Sequence, residues 1–75
     1  MQLSTNLRRL RAARGYTQRE LAHLCRMSKT YVSNVEQGIA NISLANLEAL
    51  AVGLDCATED LIRHDSRQTT TEDLS

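Results

Sequence analysis

Along the first sixty residues, apolar positions recur at three- and four-residue spacing in short segments. Most of these open on a hydroxyl residue, and several close on glycine. Leu7, Leu10 and Ala13 stand at i, i+3 and i+6 behind Ser4 and Thr5, and Gly15 follows. This is the period of an amphipathic helix with an N-cap and a stop, and it predicts a first helix over about Thr5 to Arg14. Thr17-Gln18-Arg19-Glu20 reads as a capping box, in which Thr and the Glu three residues on satisfy each other's backbone N–H. Leu21, Leu24 and Cys25 then form the inward stripe of a short second helix. After a break near Arg26-Met27, Ser28 caps a third helix to about Glu36, with Val32 and Val35 inward and Gly38 at its end. Ile39 to Ile42 reads as a loop. Ser43 caps a fourth helix carrying Leu44, Leu47, Leu50 and Ala51 as far as Gly53. Thr58 opens a fifth, about Glu59 to Arg63, with acidic residues in the first turn where the helix dipole favours them.

Composition supports the same architecture. The chain has 75 residues, 41% hydrophobic and 24% charged, with no Pro, Trp or Phe. Alanine and leucine dominate the apolar set, which favours an all-α, compact five-helix bundle over a sandwich or barrel. One domain over residues 1–63 is expected. The twelve residues from His64 onward hold a single apolar side chain, Leu74, and are expected to form a disordered tail. Gln37 to Leu47 is the longest stretch free of charge, too short and polar for a membrane span, and no signal peptide opens the chain, so the cytoplasm is expected. Cys25 and Cys56 make no CxxC pattern and have no His at zinc spacing, so no metal, no cofactor and no disulfide scaffold is expected. Nor is there a nucleophile–base pair or a carboxylate cluster, and an enzyme is not expected.

The zero net charge conceals a division. Residues 1–38 carry seven basic and two acidic side chains, net +5, and residues 39–75 carry two basic and seven acidic, net −5. A basic half beside an acidic half suits an anion-binding protein with a separate self-association end.

The second and third helices carry the functional signal. Ala22 is a small residue where a second helix can cross closely, and Val32 and Val35 bury one face of the third helix. Its other face offers Lys29, Thr30, Ser33 and Asn34, with Tyr31 beside it. Asn pairs with adenine through donor and acceptor together, Lys donates to guanine, and the Thr methyl can meet a thymine methyl. Gln18 stands at the dipole-positive start of the second helix, where backbone N–H groups can hold a phosphate. Arg9 and Arg19 flank the pair and are candidates for phosphate contact. The expected partner is double-stranded DNA, read by a recognition helix of about Ser28 to Glu36 in the major groove.

These residues bring out a resemblance. RRLRAARGYTQRELA (Arg8 to Ala22), MSKTYVSNVEQG (Met27 to Gly38) and NISLANLEALAVGL (Asn41 to Leu54) resemble the phage-repressor/Cro-type, or XRE, helix-turn-helix regulators across residues 5–62. By size, and by the runs SxTYxSxxExG and NxSLxNLExLAxxL, the chain resembles most the compact controller proteins of restriction–modification systems. The resemblance implies a lambda-repressor-like fold and a transcription regulator. It implies a phosphate contact for Gln18, base reading by Lys29, Thr30 and Asn34, and groove-wall or phosphate contacts for Tyr31 and Ser33. It also implies a structural ion pair between Arg11 and Glu36. Two positions depart from the family pattern. Arg26 stands where the turn usually has glycine, and the loop after the third helix is Ile39-Ala40-Asn41 rather than basic, leaving Asn41 and backbone N–H groups as its phosphate anchors.

A single helix-turn-helix reads few base pairs, so a homodimer on a palindromic operator is expected, with Leu54, Ala57, Leu61 and Ile62 as its apolar interface. The alternative class is an antitoxin or anti-repressor-type module, whose second protein partner would dock on the C-terminal tail.

Overall fold

The computed structural model describes residues 2–63, and the expected tail over residues 64–75 lies outside them. Five helices follow in order: α1 (Leu3–Ala13), α2 (Gln18–Leu24), α3 (Lys29–Glu36), α4 (Leu44–Gly53) and α5 (Thr58–Ile62). No strand occurs among the described residues.

Three N-termini form as expected. Thr17, Ser28 and Ser43 accept from the backbone N–H of Glu20, Tyr31 and Asn46, and Glu20 completes the box by accepting from the Thr17 N–H. Two differ. α1 starts at Leu3 with Gln2 at the cap, so Ser4 and Thr5 lie inside the helix rather than capping it. Leu3 is buried with Leu7 in the core, and that burial favours a start two residues earlier than Thr5. α5 starts at Thr58, which makes Ala57 the cap. Alanine has no side-chain acceptor, so only half a box exists: the Asp60 carboxylate accepts from the Ala57 N–H at 3.1 Å.

The first four helices end in one way. Gly15, Arg26, Gly38 and Asp55 all have left-handed backbone, with φ of 75, 59, 79 and 55°. Each is followed by a residue whose N–H closes on the carbonyl of the last turn: Tyr16 to Arg11, Met27 to Ala22, Ile39 to Asn34 and Cys56 to Ala51. This is the Schellman ending, which satisfies carbonyls the helix would otherwise leave open. Arg26 therefore adopts the geometry that glycine usually serves, at a steric cost of about 1–2 kcal/mol.

The core gathers Leu3 and Leu7 of α1, Leu21 and Ala22 of α2, Val32 and Val35 of α3, Leu47, Leu50 and Ala51 of α4, and Cys25, Leu54 and Leu61. α2 and α4 pass so closely that a Cβ on Gly53 would lie 2.6 Å from Cys25 Sγ. Three residues expected to face inward do not: Ala13 is exposed, as are Leu24 (51%) and Leu44 (68%).

The expected dimer interface needs a larger correction. Leu54 and Leu61 are 0% exposed within one chain and so cannot form an interface. α5 folds back over α1 and α4 and covers them. Ala57 is exposed and Ile62 half-buried. The clamp that holds α5 there is Asn6, fully buried, whose amide donates to Leu61 O at 2.9 Å and Arg63 O at 2.7 Å.

Candidate nucleic-acid interface

α2 and α3 pack with Ala22 (3% exposed) at their junction, and Val32 and Val35 turn α3's apolar stripe into the core. At 3.6 residues per turn Thr30 and Gln37 lie opposite that stripe, with Ser33 and Asn34 to either side and Lys29 at the edge. Lys29, Thr30 and Gln37 are exposed, and Ser33 and Asn34 are half-buried. The expected readers thus share one outward face. Gln37 belongs to it as well and was missed by sequence reasoning, although its spacing of four from Ser33 carried the signal. Its amide donates to Ser33 Oγ at 3.0 Å.

The candidates divide by whether the fold itself uses them. Among the described residues, the side chains of Lys29, Thr30, Asn34, Arg19 and Arg26 form no hydrogen bond or ion pair. The others are engaged. The Tyr31 hydroxyl accepts from Asn46 Nδ2 at 3.1 Å and reaches Asn41 O at 3.4 Å, so Tyr31 ties α3 to the loop before α4. Asn41 itself is exposed. Arg9 donates to Asn6 Oδ1 at 3.0 Å, beside the end of α5 rather than beside α3. Arg14 is also taken up, its guanidinium donating to Leu54 O and Asp55 O at the end of α4.

Behind the outward face lies the ion pair. Glu36 is 3% exposed, and Arg11 meets it with two N–H groups, Nε to Oε2 at 2.5 Å and Nη2 to Oε1 at 3.1 Å. The bond to Glu36 raises the Arg11 pKa, while partial burial opposes the shift. Arg11 Nη1 donates to Tyr16 O at 2.8 Å, and Gln18 Nε2 donates to Glu36 Oε1 at 3.0 Å. One buried carboxylate therefore joins α1, the start of α2 and the end of α3.

Burial pushes the thiol pKa of Cys25 upward, and burial with nearby Asp60 does the same for Cys56, so both stay protonated at neutral pH. Among the described residues, no group of His, Cys, Asp and Glu could hold a metal ion. No helix there is long and apolar enough to cross a membrane.

Residues 7–61 match the helix-turn-helix family HTH_3. The chain belongs to that family. The HTH_3 relatives include a hypothetical transcription factor of Neisseria meningitidis, 42% identical over 60 residues, which make up 80% of this chain and 57% of the relative. Control protein C.BamHI of Bacillus amyloliquefaciens is 37% identical over 46 residues, 61% of this chain and 57% of that protein. The chain thus spans a little over half the length of these curated relatives. Among solved structures, the restriction–modification controller protein C.AhdI of Aeromonas hydrophila is 39% identical with a TM-score of 0.79, and the match covers 81% of this chain and 92% of that one. The HTH_3 assignment makes this an all-helical member of a family of DNA-binding transcription regulators, not of enzymes.

Proposed function

We propose that this chain is a cytoplasmic, sequence-specific transcription regulator that binds a palindromic operator as a homodimer, with α3 in the major groove. One observation carries the reading: among the described residues, the outward face of α3 presents Lys29, Thr30 and Asn34 with no partner of their own, and the cations Arg19 and Arg26 are likewise exposed and unpaired. Polar side chains left free on the exposed face of a rigid helix lose no internal bond on meeting a base edge. Lys29, Thr30 and Asn34 are the base readers. Gln18, Arg19, Tyr31, Ser33 and Asn41 serve the backbone or groove wall, and Arg9 joins them by exchanging its bond to Asn6 for a phosphate.

The homodimer rests on α4. Leu44 and Val52 of that helix are 68% and 80% exposed, while Leu47, Leu50 and Ala51 fill the core. Large apolar side chains left open on a helix whose other apolar residues are already buried call for a second cover, and a second copy of the same surface is the symmetric solution. Ala57 and Ile62 stay with this interface, and Leu54 and Leu61 leave it.

The test is selection from a random duplex pool near physiological salt, followed by titration of the winner against scrambled DNA. A palindromic winner bound about 10³-fold or more above scrambled duplex is expected. Asn34→Ala should then relax preference at one position of each half-site by about 1–3 kcal/mol. Weak, salt-sensitive binding to every duplex alike would overturn the reading.

A further inference from the structure

The turn between α2 and α3 holds a residue that backbone geometry alone would not choose. The Met27 N–H closes on Ala22 O at 2.8 Å, and this ending sets Arg26 at φ 59°. Gly15 and Gly38 occupy the matching place after α1 and α3, where glycine meets no steric penalty. Asp55 occupies it after α4, and a short polar side chain tolerates the left-handed region better than most. Arginine has neither advantage, because the penalty falls on its Cβ whatever lies beyond it.

The fold does not offset that cost through the side chain. Arg26 is exposed, and among the described residues its guanidinium has no hydrogen bond and no ion pair. Arg9, Arg11, Arg14 and Arg63, by contrast, each hold a partner. No acidic residue occurs from Leu21 to Val35. The two carboxylates that bracket this stretch are engaged elsewhere, Glu20 with the Thr17 N–H and Glu36 with Arg11. Arg26 and Lys29 therefore make the entry to α3 positive, with no counter-charge of its own. Three residues separate them, a Cα span of at most about 11 Å, against a major groove about 12 Å wide. With α3 in that groove, a guanidinium at Arg26 is within reach of its sugar–phosphate wall.

We propose that Arg26 is a DNA-backbone contact: its guanidinium takes one phosphate at the wall of the groove that α3 enters, and the strained turn residue serves that contact. The guanidinium fork matches two phosphate oxygens and stays charged at every working pH. Glycine would ease the turn but offer the phosphate nothing, so stability and DNA affinity pull in opposite directions at this position. The inference rests on the reading of α3 as a DNA-recognition helix.

The test pairs dissociation constants over a salt series with urea unfolding, for the wild type, Arg26→Gly and Arg26→Gln. Glycine removes both the charge and the strain, whereas glutamine removes the charge and keeps a Cβ in the left-handed turn. Both variants should weaken binding about tenfold, on the selected and the scrambled duplex alike. Both should also flatten the slope of log Kd against log salt by about one per half-site. Only Arg26→Gly should raise the urea midpoint, and a variant that is more stable yet binds less well has not lost affinity through misfolding. Unchanged affinity and slope in both variants would overturn the proposal. So would a loss in Arg26→Gly with none in Arg26→Gln, since turn geometry rather than charge would then be the cause. A wild-type chain that selects no duplex would fail differently, by removing the DNA reading and this inference with it.

Discussion

Asn6 offers the sharpest test of how the fold is held. It is fully buried on α1, and its amide donates to Leu61 O and Arg63 O at 2.9 and 2.7 Å while its oxygen accepts from Arg9 at 3.0 Å. Asn6→Ala removes three hydrogen bonds and takes from two carbonyls at the end of α5 the donor they have among the described residues. At about 0.5–1.5 kcal/mol net per bond, the two main-chain bonds and the open carbonyls amount to about 2–3 kcal/mol. A small domain has about 5 kcal/mol in total, so the midpoint of thermal unfolding should fall by about 10–20 °C. Asn6→Leu separates this from cavity formation: it refills the volume but supplies no N–H, and should be no more stable than Asn6→Ala. Arg9→Ala loses only the bond to Asn6 from an exposed guanidinium and should cost about 1 kcal/mol or less. Urea unfolding followed by circular dichroism reads all three. An Asn6→Ala variant within 0.5 kcal/mol of wild type would refute the clamp, as would a leucine that restores stability.

Three further changes test local geometry, each read by the same unfolding assay. Gly53→Ala gains helix propensity yet drives a Cβ to 2.6 Å from Cys25 Sγ, so a net loss of about 1–3 kcal/mol is expected, and a Cys25→Ala background should erase most of it. Ala57→Ser gives α5 the cap acceptor it lacks and should stabilise by about 1 kcal/mol; no gain would mean that the start of α5 is misassigned. Arg26→Gly relieves a left-handed backbone at φ 59° and should stabilise by roughly 0.5–1 kcal/mol after the extra chain entropy of glycine, and a destabilised variant would argue against that geometry.

What the sequence made legible was local. Thr17, Ser28 and Ser43 cap through bonds that span three residues, so their signals lie side by side in the chain. Val32 and Val35 face inward and leave Lys29, Thr30 and Asn34 outward because helical period alone decides it. Asn6 was illegible for the opposite reason. Its partners are main-chain oxygens 55 and 57 residues away, and no side-chain pattern announces a carbonyl. Leu54 and Leu61 show the remaining difficulty: apolar periodicity says that a residue is buried, but not whether its own chain or a second one covers it. Leu24 failed likewise, since a three-residue spacing fits the edge of a stripe as well as its centre.

Three of the four connections share one local design. Gly15-Tyr16-Thr17, Arg26-Met27-Ser28 and Asp55-Cys56-Ala57 each place a left-handed residue, an apolar one packed against the core and the next helix's cap in three consecutive positions. Such joints leave little room for adjustment, and the Arg11–Glu36–Gln18 bonds join α1, α2 and α3 across them. The α3–α4 connection is the exception. It is longer, exposes Ile39, and is held by the Tyr31 hydroxyl between Asn41 and Asn46. A joint built on a left-handed residue before α3 and a tethered loop after it hold the outward face of α3 at both ends. Within that frame the fold uses the side chains of Asn6, Arg9, Arg11, Arg14, Glu36 and Tyr31, and leaves unused those of Arg19, Arg26, Lys29, Thr30 and Asn34. Polar groups that a protein neither buries nor pairs are stabilised by solvent alone, and under the proposed function that solvent is what a base edge or a phosphate would displace.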